Sequence, residues 1–197
     1  CKMSNGFFNA LISIIVIVSS AYMLVSALDV QDKKPDPLNV VESYNNAKTV
    51  NTVLQNLLET TAADRAYTFQ FHNGIHGVRG RNFCYYSNTN EVTAPGVSAE
   101  IRDLQNLPIS ILAPSWMPKM QQQKSWFMRV VDEPHEQTKH ILEDQGIKAI
   151  AIARVKYGMD IIGFVGIDWV KVAPVDPDLS QLEEAASLIQ SLLIGGK

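Results

Sequence analysis

Cysteine is almost missing from this chain: of 197 residues only Cys1 and Cys84 carry a thiol. That excludes a disulfide framework and leaves too few ligands for a cysteine-based zinc site. A single internal cysteine also fits a reducing compartment. Basic residues are in deficit, 17 Lys and Arg against 20 Asp and Glu for a net charge of −3. With no basic stripe, nucleic-acid binding has no electrostatic support. Internal repeats and low-complexity tracts are absent. Charge of either sign is missing between Met3 and Leu28.

Most positions of that uncharged run are apolar, and a helix of its roughly 26 residues would cross a hydrocarbon core of ~30 Å. The sequence therefore predicts a transmembrane anchor over 1–30, a linker over 31–37 broken by Pro35-Asp36-Pro37, and one globular domain over 38–197. A cleaved secretory leader competes, with Lys2 ahead of an apolar stretch and Val25-Ser26-Ala27 as the cleavage site. The run is longer than a leader needs. Lys33 and Lys34 against Lys2 tilt the positive-inside bias toward a single-pass membrane protein with its domain in the cytoplasm. A lipid on Cys1 would be redundant in front of a full span.

Downstream, Val40, Tyr44, Ala47, Val50, Leu54, Leu57 and Leu58 recur at helical spacing over 38–61. The stripe is narrow. It suits either a two-stranded seam that makes a homodimer or a helix lying on its own domain's sheet. Residues 64–71 alternate as a half-buried strand with Tyr67, Phe69 and Phe71 on one face. His72-Asn73-Gly74 is expected to turn the chain into a Gly-rich loop ending at Gly80, before another strand over 81–89. Pro108, Pro114 and Pro118 predict short helices and loop. Next come a strand over 125–131, a helix opened by Pro134 and closed by a left-handed Gly146, and strands over 147–155 and 161–170 joined at Gly158. A last amphipathic helix begins near Leu179 and stops at Gly195-Gly196. These elements add up to an α+β domain, an antiparallel sheet with helices on one face.

The stretch GIKAIAIARVKYGMDIIGFVGIDWV, 146–170, resembles the closing half of a GAF domain: a helix, two strands joined by a short turn with glycines in the second, and a terminal helix. Upstream, LLETTAADRAYTFQFHNG is similar to the family's opening, a helix followed by a first strand introduced by an Arg. Phe71-His72-Asn73-Gly74 resembles a subset of membrane-anchored GAF-like proteins, many of them phage-encoded. The resemblance implies a GAF-like antiparallel sheet flanked by helices, a small-molecule pocket between sheet and loops, and dimerisation through flanking helices. It also implies signalling to an attached output, and no kinase, cyclase or phosphodiesterase sequence follows here. Cys84 is followed by Tyr85 rather than His, which argues against covalent bilin attachment, and no cofactor is specified.

His72, Asn73, Gly74, His76 and Arg79 form the richest cluster and are the candidate ligand-binding residues. Glycines bring backbone amides close to a ligand, and two imidazoles, an amide and a guanidinium could contact an anion or a planar ring. The plainer alternative is that Asn73-Gly74 is a simple turn. Neither His72 with His76 nor His135 with His140 has helical i, i+4 geometry and a third ligand, so no metal site is expected. Cys84 is expected to be a small buried strand residue, the three tryptophans to be core, and Asp168 to be a solvated outward carboxylate. No nucleophile, base and orienting group stand out together, so no catalytic residues are assigned. The expected function is a membrane-anchored, non-enzymatic GAF-like domain binding a small molecule or a protein partner. The alternative is a phage structural or assembly protein using the fold without a ligand.

Overall fold

A computed structural model describes residues 37–76, 82–112 and 114–194. The chain divides into two units, Cys1–Val41 and Glu42–Lys197, and the fold below is that of the second. In order, the elements are α1 (Pro37–Thr61), β1 (Arg65–His76), β2 (Asn82–Thr93), β3 (Leu107–Pro108), α2 (Trp116–Gln122), β4 (Ser125–Arg129), α3 (Glu136–Asp144), β5 (Ala149–Tyr157), β6 (Asp160–Trp169) and α4 (Ser180–Ile194). Six strands form one antiparallel sheet in the order β3-β2-β1-β6-β5-β4. With its helices this makes an α+β, GAF-like fold.

Strand alternation builds two cores. Ala66, Val165, Ile167 and the Ala149-Ala151-Ala153 row face α1 and α4, where Val50, Leu54, Leu182 and Ile189 fill the space. Alanines on that face let the two helices approach closely, and each buried Val, Leu or Ile contributes ~1.5–3 kcal/mol. The narrow stripe of α1, Val50, Leu54, Leu57 and Leu58, is thus buried against its own domain. The opposite face carries Tyr67, Phe69, Phe164, Ile150 and Ile152 and is covered by the segment containing α2 and α3. Helices therefore lie on both faces, not one. All three tryptophans are buried.

Three local expectations change. His72-Asn73-Gly74 does not turn the chain: β1 runs on to His76, because the far end of β2 supplies partners for it, Asn73 opposite Cys84 and His76 opposite Asn82. The connection to β2 falls at 77–81, outside the described residues. Cys84 is exposed rather than buried, since the covering segment pairs with β2 only at Tyr85 and Tyr86. Asp168 is buried, 2 % exposed, and faces a guanidinium instead of solvent.

Single-pass membrane localisation, with the domain in the cytoplasm, is also corrected. Among the described residues no helix is long and apolar enough to cross a membrane. The 25-residue α1 has the length, but Glu42, Lys48, Glu59 and its many Asn residues give it a polar circumference. The expected anchor over 1–30 lies outside the described residues.

Candidate functional site

Between the sheet and its covering segment lies a cavity of about 270 Å³. Its body is apolar and aromatic: Tyr67 and Phe69 from β1, Tyr86 from β2, Phe164 from β6, Trp116 from α2 and Leu142 from α3. Phe69 and Phe164 stack at 4.9 Å, a consequence of their pairing across β1 and β6. Trp116 is fixed by donating from Nε1 to Glu133 Oε2 at 3.2 Å. Ile111 and Ile141 line the cavity yet are exposed, so its mouth lies between the Ile109–Ile111 turn and α3.

One end of the cavity is polar, with Arg65, Asn88, Glu91, Glu100 and Asp168 in its wall. Arg65 Nε donates to both Asp168 oxygens at 3.0 and 3.1 Å, and Nη2 donates to the Gln145 carbonyl at 3.3 Å. That carbonyl is presented by the end of α3. Gly146 at φ +72 lets its own N–H bond Glu143 O, and lets Ile147 N–H bond Leu142 O, both at 2.9 Å. Arg65 Nη1 lies 3.4 Å from Glu100 Oε1 but has no hydrogen-bond partner. Burial pushes the Asp168 carboxyl up to about 7 against the pull of Arg65. Burial likewise raises Glu91, although its Oε2 accepts the backbone N–H groups of Glu100 and Ile101 at 2.8 and 2.7 Å. The Tyr86 phenol is raised to about 12 and that of Tyr67 well above its ordinary value, both chiefly by burial, so each stays neutral near pH 7.

Asn88 is the least satisfied member of this wall. It is 1 % exposed, and neither Nδ2 nor Oδ1 has a partner. A buried polar side chain without partners costs ~1–3 kcal/mol. A β-bulge puts it there: Thr68 pairs with Asn90 but Phe69 pairs with Asn88, leaving Thr89 as the extra residue. The face therefore flips within two residues. Asn90 reaches α1, donating to Asn51 Oδ1 at 2.8 Å, while Asn88 lines the cavity on the other side.

The residues singled out from sequence stand elsewhere. His72 is half-buried, with Nε2 2.9 Å from Ser87 Oγ and its ring stacked on Tyr85, and it is not among the residues lining the cavity. Ser87 Oγ also accepts Asn106 N–H at 2.8 Å, so His72 belongs to a clip joining β1, β2 and the loop before β3. Asn73, Gly74 and His76 lie on β1 beyond it, and Arg79 is outside the described residues. Sequence reasoning missed Asn88, Glu91 and Glu100, and no residue-type signal marks them. Arg65 carried one, as the Arg that introduces the first strand. Among the described residues no group of three potential metal ligands occurs.

No protein-family model matches this sequence, and no curated protein matches it. Solved structures do share its fold. The phycoerythrobilin-bound GAF domain from a cyanobacterial phytochrome superposes with a TM-score of 0.57 at 13 % identity, over 81 % of this chain and 88 % of that one. GAF3 from Slr1393 of Synechocystis gives 0.56 at 13 %, over 76 % and 92 %. The blue-light absorbing form of the Thermosynechococcus elongatus PixJ GAF domain gives 0.54 at 14 %, over 79 % and 84 %. At such identities the likeness is one of architecture: this chain folds as GAF domains do.

Proposed function

We propose that this domain binds a small molecule in the cavity between the sheet and the α2–α3 segment. The observation that carries the reading is Asn88, whose buried and partnerless amide stands at the polar end of a mainly apolar and aromatic cavity with an open mouth. An unmet hydrogen-bonding group at the edge of an apolar pocket is how binding sites fix the orientation of an occupant. One structure of the same fold is a phycoerythrobilin-bound GAF domain, which supports a small-molecule role at the level of fold. A bilin itself is a poor candidate. Ligand pockets for drug-sized molecules run ~300–1,000 Å³; this cavity has about 270 Å³, and Cys84 does not line it. A one- or two-ring compound fits better.

Indole is a suitable neutral probe, followed by ligand-observed NMR. Saturable binding that is lost in Ile141→Trp, which plugs the mouth from an exposed position, is the expected result. Binding that survives the plug, or no binding by indole or by its charged derivatives tryptamine and indole-3-acetate, overturns the reading.

A second reading, association of two copies along α1, draws on Tyr44, 70 % exposed. Sedimentation of the full chain tests it. A dimer that Tyr44→Glu dissociates supports it, and a monomer at all concentrations ends it.

A further inference from the structure

The charges at the polar end of the cavity are unbalanced. The wall holds one guanidinium, that of Arg65, against three carboxyl groups, those of Asp168, Glu91 and Glu100. Arg65 is matched by Asp168, with both carboxylate oxygens on Nε. Arg65 is also shared with Glu100, whose Oε1 lies 3.4 Å from Nη1, so one guanidinium serves two carboxyl groups and Glu91 has no cation in contact. Glu91 is held by two backbone N–H groups, and Glu100 Oε1 accepts Ser98 Oγ at 2.7 Å. Lys appears nowhere in the wall. The bulge described above makes Asn88 and Glu91 successive cavity-facing residues of β2, so the partnerless amide of Asn88 stands beside the carboxyl groups, its oxygen an acceptor and its NH2 a donor. Facing this acceptor-rich end are the rings of Tyr67, Phe69, Tyr86 and Phe164.

We propose that the occupant is a protonated amine, or a similar N–H-bearing cation, carried on a planar apolar body. This rests on the cavity being the binding site. An ammonium supplies several donors and no acceptor, which suits a wall with three carboxyl groups against one guanidinium, and the Asn88 oxygen. Its charge reduces the cost of keeping Glu91 ionised in a half-buried site, a cost visible in the upward displacement of that carboxyl by burial. Aromatic faces attract cations and pack flat rings equally well. An anionic ligand could accept from the partnerless Nη1 of Arg65 but would meet the carboxyl groups of Asp168, Glu91 and Glu100 around it, and is disfavoured.

Three probes that share the indole ring vary the charge carried on it: tryptamine, indole and indole-3-acetate, each titrated into the full chain near neutral pH. The expected order is tryptamine tightest, by roughly tenfold or more over indole as one charge-assisted hydrogen bond would give, and indole-3-acetate weakest. Glu100→Gln, at a partly exposed position, should shrink the preference for tryptamine over indole. Glu91→Gln is the second such variant. Equal binding of tryptamine and indole, tighter binding of the acetate, or a tryptamine preference untouched by both variants overturns the charge assignment and leaves the cavity reading standing. Failure of indole as well as both charged probes overturns the two together.

Discussion

Arg65 and Asp168, directly opposite each other on β1 and β6, form an ion pair in which a single Nε–H is shared by two carboxylate oxygens at 3.0 and 3.1 Å. Their side chains are 1 % and 2 % exposed. The pair closes the polar end of the cavity and ties the first strand to the last. Buried pairs add little net stability, but removal of one partner leaves the other charge stranded, at ~3–5 kcal/mol. Arg65→Met, which strands the Asp168 carboxylate, should therefore lose up to about that much in urea unfolding. Replacing both residues, Arg65→Met with Asp168→Leu, should recover most of the loss. A single-variant loss no larger than that of an ordinary surface substitution would show that the pair does not hold the strands.

Gly163 and Gly166 on β6 are required by close approach. A Cβ on Gly163 would lie 2.2 Å from the Phe69 carbonyl oxygen, and one on Gly166 would lie 2.2 Å from Tyr67 Cε2. Overpacking costs ~1–3 kcal/mol. Gly163→Ala meets backbone and should reach or pass the top of that range. Gly166→Ala meets a ring that borders the cavity, so its cost should be smaller and its indole affinity reduced. Differential scanning calorimetry beside the NMR titration checks both, and the reverse order of stabilities would contradict the geometry.

Asn88→Leu should raise the melting temperature of the free protein while weakening tryptamine. Neither atom of the Asn88 amide has a partner, so an apolar side chain of similar size removes a desolvation penalty of ~1–3 kcal/mol. Stabilised protein with weakened recognition is the signature of a binding residue held at a cost. A destabilised variant would mean that the amide is satisfied in solution by a partner of the protein's own.

Stability should peak on the acid side of neutrality. Burial raises the folded Asp168 carboxyl from 3.8 to about 7, so in that window the native state holds a proton the unfolded chain has released. Stability from this group is therefore present at low pH and falls as pH rises through the window. Asp64 acts oppositely. Burial pushes its carboxyl up, but hydrogen bonds from Lys171 and Val170 outweigh burial and hold it below 3.8. Its contribution is present above 3.8 and is lost as pH falls. Urea unfolding across this range should show the maximum, and Asp64→Asn should flatten its acid limb alone.

Much of the architecture was legible because it is local. The apolar spacing of α1 and α4, the left-handed Gly146, the β5–β6 hairpin at Gly158 and the aromatic alternation of Tyr67, Phe69 and Phe71 each follow from a few neighbouring residues. Candidate site residues were harder to read. The His72–Arg79 cluster attracts attention by residue type, yet the structure gives His72 a partner in Ser87. Asn88 lies in an unremarkable Ser-Asn-Thr-Asn run, where simple alternation would put it on the same face as Asn90. The bulge at Thr89 separates them, and nothing in the run announces it.

The sequence by itself determined which segments become helix and strand and which side of each is apolar, because those depend on spacing along the chain. Only the tertiary structure decided that Asp168 is buried, that Arg65 is its partner 103 residues away, and that Asn88 and Glu91 of β2 both stand in the cavity wall. Burial and charge pairing depend on distances across the sheet. Strand register sets those distances, and a single extra residue such as Thr89 resets the register for everything beyond it.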